Sequence, residues 1–331
     1  MPATRWVDLA GQAIFHTLVA ALVIEALIRL WRVRDPRQRL AFRLFVLCYP
    51  LLVLPLLVVL APERASDDFR EGRALFSSQR WDDLRFLGSG LRHWWVGVFG
   101  GMGLALFLMD LVPLLLGRRV GLPRSAPPVS PQGQAAAAAL EGVARSMGLR
   151  PPRLVFVEDG GPVLFCAGAL ATSLVVSRAA VDLLDPKEIR AALAHELAHL
   201  DRLDPGVSWL LMAGRALMAV NPAFQVVARA MARDAEWRAD ERAAAATGDR
   251  LALASGLLKL FRATEGRPAP PGRRNLPLAA ALAEPIARAR ALDIETRCRR
   301  LLGPAPAPLP HGAARLFAAA ASISSLLFFV V

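Results

Sequence analysis

Three apolar runs dominate the first 116 residues: Val7 to Trp31, Leu40 to Ala61 and Trp94 to Leu116. Each approaches or exceeds the ~20 residues needed to cross a bilayer core. The first is too long, and too strongly basic on its C-terminal side, for a cleaved signal peptide. Pro50 and Pro55 interrupt the second, which a membrane helix tolerates better than a soluble one. Trp94 and Trp95 open the third, where an interfacial aromatic belt would lie. Gly97 and Gly101 follow as a small-x-x-x-small pair suited to close helix approach. A fourth run, Leu316 to Val331, has 16 residues and reads as a further span. With 55% apolar and 21% charged residues, the composition excludes disorder, a collagen-like fibre and a disulfide scaffold.

The net charge of +12 first suggests nucleic acid, but its distribution argues otherwise. All basic residues except Lys187 and Lys259 are arginine. Arg32, Arg34, Arg37 and Arg39 lie between the first two runs, with Arg29 and Arg43 at the helix ends. Arg118, Arg119 and Arg124 follow the third run, while acids and arginines balance in the 62–93 loop. The positive-inside rule then puts the first loop and everything after the third run in the cytoplasm, with the N-terminus and the 62–93 loop outside. No nucleic-acid reader motif is present, so a nucleic-acid partner is not expected. Cys48, Cys166 and Cys298 are far apart and odd in number, which fits a reducing compartment.

Residues 117–133 form a Pro/Gly/Ser linker. Beyond it the pattern predicts a helix from Gln134 to Met147 ended by Gly148, then strands at Arg153–Val157, Val163–Cys166 and Ser173–Ser177. Asp185-Pro186-Lys187-Glu188 is a helix start: a capping aspartate, a proline at the first helical position and a capping-box glutamate. Asn221-Pro222 repeats the cap-plus-proline start, and Gly248 closes the helix that follows. Residues 264–277 read as loop and Asp293–Leu302 as helix.

The first of these two helices contains His195-Glu196-Leu197-Ala198-His199. Five histidines in 331 residues would produce H-E-x-x-H by chance about 0.003 times. At i and i+4 both imidazoles share a helix face and can bind one zinc ion, with Glu196 as general base. A catalytic zinc needs a third protein ligand. His16, His93 and His311 lie in or beside apolar runs, so a carboxylate is the natural choice. Glu236 and Asp240 form an i,i+4 acidic pair on the second helix. Such a pair repels itself unless a cation is near. Glu236 is assigned as third ligand and Asp240 as the acceptor that orients an imidazole.

H-E-x-x-H followed by E-x-x-x-D behind several membrane spans resembles the integral-membrane gluzincins. Two branches fit: the BlaR/MecR-type antibiotic-sensor metallopeptidases, preferred here, and the HtpX/CAAX-prenyl-protease group. Ile189–Pro205 is similar to both. The arginine-rich first loop, Asn221-Pro222 and the basic Glu295–Leu302 segment lean toward the BlaR type. The resemblance implies His195, His199 and Glu236 as ligands of one catalytic Zn2+, Glu196 as base and Asp240 behind them. Asp204, Arg238 and Arg297 are further candidates to support the site, with exposed charges and helix ends as the alternative reading. Because such proteases hold substrate by β-augmentation, the strand Ser173, Leu174, Val175, Val176, Ser177 is expected beside the zinc as a substrate-binding edge. The chain ends without the penicillin-binding sensor domain of the antibiotic sensors, so β-lactam sensing is not expected.

The expected fold is α+β and mainly α. It is a multi-span α-helical membrane protein with a cytoplasmic zincin-like metalloprotease domain containing a small β-sheet. Residues 1–116 hold three transmembrane helices (about 7–31, 40–61 and 94–116), 117–133 the linker, 134–312 the peptidase domain and 313–331 a fourth helix. The expected function is regulatory or quality-control cleavage of a protein or peptide substrate at the inner face of a bacterial-type cytoplasmic membrane. The alternative is a membrane signalling receptor whose zinc domain is structural or only self-cleaving.

Overall fold

A computed structural model describes residues 2–74, 85–86, 89–117, 131–157, 161–167, 173–200, 212–264, 277–308 and 310–330. The chain divides into two compact units, one of residues 1–120, 209–235 and 306–331, the other of 121–208 and 236–305.

The first unit is helical apart from a short ribbon. Helix α1 spans Pro2–Leu30, α2 Pro36–Cys48, and α3 Leu54–Leu60. Asp35 caps α2 through the Arg37 amide, with Pro36 at its start. Between α2 and α3 the helix widens into a five-residue π turn, Tyr49–Val53, which contains Pro50. A proline cannot donate to the preceding turn, and a wider turn absorbs the break without ending the helix. Strands β1 (Arg85–Phe86) and β2 (Ser89–Gly90) pair antiparallel ahead of α4, Leu91–Gly117. The unit also holds the first half of α8, Pro222–Thr247, and all of α11, Gly312–Phe328. Ala10–Leu30 and Pro36–Leu60 are long and apolar enough to cross a membrane. His93–Met109 and Gly312–Phe328 are shorter apolar helices.

Two expectations change in this unit. The glycines that permit close approach on α4 are Gly100 and Gly103, not Gly97 and Gly101. A Cβ on Gly103 would lie 2.5 Å from the Val220 carbonyl carbon, whereas nothing lies within 4 Å of one on Gly97 or Gly101. Arg39 and Arg43, read as loop and helix-end charges, are tied into the fold. Arg43 forks onto Glu25 at 2.6 and 2.9 Å and also bonds Asp234, which accepts from Arg39 Nε at 2.9 Å. Two carboxylates and two guanidiniums balance one another, so charge buried among helices is paired.

The second unit packs helices on a three-stranded sheet. Its elements are α5 (Pro131–Ser146), β3 (Arg153–Val157), β4 (Leu164–Ala167), β5 (Ser173–Ser177), α6 (Arg178–Leu183), α7 (Pro186–Leu200), α9 (Arg250–Thr264) and α10 (Pro277–Leu302), with the second half of α8. The order is β3-β5-β4, with β3 parallel and β4 antiparallel to β5. Strand β5, expected as an edge, is therefore central. Its Leu174, Val175 and Val176 are all fully buried. An unbroken apolar run with both faces covered suits an inner strand, and an edge strand would alternate. Leu174, Val176 and Phe156 join Leu140 and Val143 of α5 and Leu193 and Leu197 of α7 in one core.

Local signals set the ends of α7. Asp185 Oδ1 accepts from the Lys187 and Glu188 amides, and Glu188 Oε2 accepts from the Asp185 amide, each at 2.9 Å. Gly148 (φ 70°) and Gly248 (φ 71°) follow α5 and α8 in the left-handed region, as their positions after the last helical residues require. Helix α10 begins at Pro277, sixteen residues before the expected start at Asp293.

Candidate metal centre

Three helices of the second unit build the site. Helix α7 presents His195 and His199 from one face; α8 supplies Glu236 and Asp240, one turn apart; α10 supplies Arg297. His195 Nε2 lies 3.2 Å from His199 Nε2 and 3.5 Å from Glu236 Oε2, and His199 Nε2 lies 3.5 Å from Glu236 Oε1. One ligand atom from each residue falls within 4.8 Å of the others. Ligand bonds of about 2.0–2.2 Å at a tetrahedral zinc put neighbouring donors roughly 3.3 Å apart. Two imidazoles and one carboxylate at these separations are a donor set that such an ion fits.

A layer of charge lies behind them. Asp240 is buried and accepts from His195 Nδ1 at 2.9 Å. That bond leaves Nε2 of His195 turned toward His199 and Glu236. Arg297 grips Asp240 with two bonds, Nε to Oδ2 at 2.8 Å and Nη2 to Oδ1 at 2.7 Å. Its Nη1 lies 3.1 Å from Glu236 Oε2, and its Nη2 3.3 Å from His195 Nε2. Burial opposes charge on His195, but the Asp240 and Glu236 carboxylates outweigh it and raise its pKa to about 9. Burial likewise opposes charge on Glu236 and Asp240. Hydrogen bonds from His195, with His199 on Glu236 and Arg297 on Asp240, hold both well below the usual carboxylate range.

The general-base candidate, Glu196, points elsewhere along the same helix. Its Oε2 accepts the Cys166 amide of β4 at 3.0 Å, and the Cys166 thiol lies 3.6 Å from the Glu196 carbonyl. Burial, then the neighbouring Glu196 charge, pushes that thiol up to about 12, so it stays protonated. The Cys166 amide bonds to Glu196 on the side of β4 away from β5. Strand β4, rather than β5, is thus the edge beside the H-E-x-x-H helix.

Of the three supporting residues expected from sequence, the structure brings Arg297 into the cluster. Arg238 stands two positions from both Glu236 and Asp240, on the opposite side of α8. Asp204 lies outside the described residues. Cys166 was missed because its part is played by the backbone, which no side-chain motif reports. The uniform apolarity of Ser173–Ser177 was the available signal that β5 needs a neighbour on each side.

Comparison with known proteins finds a peptidase family and relatives named as proteases. The family profile Peptidase_M56, described as BlaR1 peptidase M56, matches residues 93–276. Protease HtpX homologues are similar over shorter stretches. The one from Aeropyrum pernix is 30% identical over 168 residues, covering 40% of this chain and 53% of its own. The one from Ralstonia nicotianae is 30% identical over 154 residues, covering 37% and 54%. A homologue from Halobacterium salinarum is 36% identical over 66 residues, covering 20% and 23%. The chain thus spans about half the length, or less, of these curated relatives. No solved structure matches it. With the profile covering more than half of its length, the chain belongs to the BlaR1 peptidase M56 family.

Proposed function

We propose that the chain is a zinc-dependent endopeptidase that cuts a protein substrate at the cytoplasmic face of a membrane. The observation that carries this reading is the convergence of His195, His199 and Glu236 at tetrahedral spacing, with the Glu196 side chain next to His195 on the same helix and anchored by the Cys166 amide. His195, His199 and Glu236 would hold one zinc ion, and Asp240 and Arg297 would keep His195 and Glu236 in place. Bound there, zinc supplies Lewis acidity toward water and toward the scissile carbonyl.

Glu196 performs the proton transfers. Its carboxylate takes a proton from the attacking water as the water oxygen adds to the carbonyl carbon. It then delivers that proton to the amide nitrogen as the C–N bond breaks. The Cys166 amide holds one Glu196 oxygen at 3.0 Å, which fixes the orientation of the other. An extended substrate pairing with the outer edge of β4 would run directly past this carboxylate. The cytoplasmic assignment rests on the arginines that follow the first and third apolar runs. The same reading keeps residues 1–116 as the membrane region, 117–133 as linker, 134–312 as peptidase domain and 313–331 as a last span.

Glu196→Gln tests the assignment, because glutamine keeps the shape but takes no proton. The variant is expected to retain one equivalent of zinc and to abolish fragments that the wild type produces among membrane proteins. Full cleavage by Glu196→Gln sinks the mechanism.

A further inference from the structure

Arg250 opens α9 and touches none of the metal-centre residues, yet its guanidinium is almost fully engaged. Nη1 and Nη2 fork onto Glu241 at 2.7 and 2.9 Å. Nε donates to the Leu301 carbonyl at 2.8 Å and Nη2 to the Arg300 carbonyl at 3.2 Å. Glu241 directly follows Asp240 on α8. Leu301 lies one turn beyond Arg297 on α10, at the helix end, where carbonyls lack intrahelical partners. One side chain therefore joins α8 to α10 immediately beside the Asp240–Arg297 pair. The Arg300 guanidinium, 4.2 Å from the Trp237 ring centroid, adds a second link between the same two helices.

Helix α9 is also fastened to α7. Glu188, in the first turn of α7, accepts from Ser255 Oγ and Lys259 Nζ, both at 2.6 Å. Contacts thus run from the helix of His195 and His199 to α9, and from Arg250 of α9 to the helices of Glu236 and Arg297. We propose that Arg250 is a positioning residue for the metal centre: it fixes the last turn of α10 against α8 and so holds Arg297 across Asp240 and Glu236. The proposal rests on the metallopeptidase reading above. It requires arginine, because a lysine keeps the charge but cannot span a carboxylate and two carbonyls in one planar fork.

The test uses the full-length protein in detergent, loaded with one equivalent of Co2+, whose d–d absorption reports ligand geometry. Arg250→Lys and Arg297→Lys are each expected to shift that absorption and to lower casein cleavage about tenfold. If both act through one contact, the double variant is no worse than Arg297→Lys alone. The charge swap Arg250→Glu with Glu241→Arg restores the ion pair between α8 and α9 but not the bonds to α10. It restores neither absorption nor cleavage, because a glutamate cannot donate to the Arg300 and Leu301 carbonyls. An unchanged absorption in Arg250→Lys, losses that multiply in the double variant, or full recovery in the swap overturns the proposal. Failure of the underlying reading looks different. A wild type that binds no cobalt removes both, whereas cobalt binding with cleavage no better than Glu196→Gln removes only the peptidase mechanism and leaves the absorption to decide on Arg250.

Discussion

Asp240→Asn is the sharpest probe of how the metal centre is held. The change is isosteric, but only one of the two terminal atoms of asparagine accepts a hydrogen bond. With the amide oxygen in place of Oδ1, the bonds from His195 Nδ1 (2.9 Å) and Arg297 Nη2 (2.7 Å) survive. The amide nitrogen then faces Arg297 Nε across 2.8 Å, donor against donor. The flipped amide is worse, because its nitrogen meets two donors. One charge-assisted bond is therefore lost, at about 1.5–3 kcal/mol, and the other two weaken to a neutral acceptor. If that loss falls on the orientation of His195, zinc affinity drops about 10- to 100-fold, equivalent to about 1.4–2.8 kcal/mol. Competition with a chelating dye measures the affinity on full-length protein, with Arg238→Gln, on the opposite side of α8, as the control that leaves it unchanged. Affinity within twofold of wild type in Asp240→Asn would refute the claim that the Asp240 charge and its Arg297 clamp hold the ligand in place.

Three further outcomes are expected. His199→Ala and Glu236→Ala each leave the protein with well under one equivalent of zinc after dialysis, measured by metal analysis, while Glu196→Gln keeps it. Gly103→Ala forces a methyl group to within 2.5 Å of the Val220 carbonyl carbon and costs about 1–3 kcal/mol, read as a lower thermal midpoint, while Gly101→Ala has open space and no such cost. Burial opposes the charge of Glu188, but Lys259, Ser255 and the Asp185 amide hold its pKa below the ordinary 4.5. Its stabilising effect is thus complete above that value and lost as pH falls through the lower folded one. Acid unfolding of Glu188→Gln, followed by circular dichroism, should lack that portion of the decline.

The parts of the site that were legible in sequence are the local ones. Asp185, Pro186 and Glu188 start α7 by contacts within four residues, and His195 with His199, or Glu236 with Asp240, share a face through helix geometry alone. What the sequence could not order was pairing at a distance. Ser173–Ser177 was recognisable as a strand, but its place between β3 and β4 depends on partners brought in by the fold. Arg43 meets Asp234 across 191 residues, and its position at a helix end gave no hint of that partner. Arg297 reaches Asp240 across 57 residues and was named only as a supporting candidate, without its partner. The early start of α10 was hidden by the Pro/Gly/Arg-rich stretch before it, which reads as loop up to Pro277.

The single strand edge that runs beside Glu196 has a consequence for any target of a peptidase built on this sheet. If a substrate pairs with strand β4 as proposed, backbone pairing would read its conformation before its side chains. A helical segment arrives with its amides already satisfied, and a segment inside a folded sheet arrives with neighbours on both sides. Neither has groups free to pair with β4. On that proposal only a stretch that has come undone would lie there and bring its carbonyl to the site. The lifetime of a folded target would then follow how often that target frays, and its own instability would become the timer for its destruction.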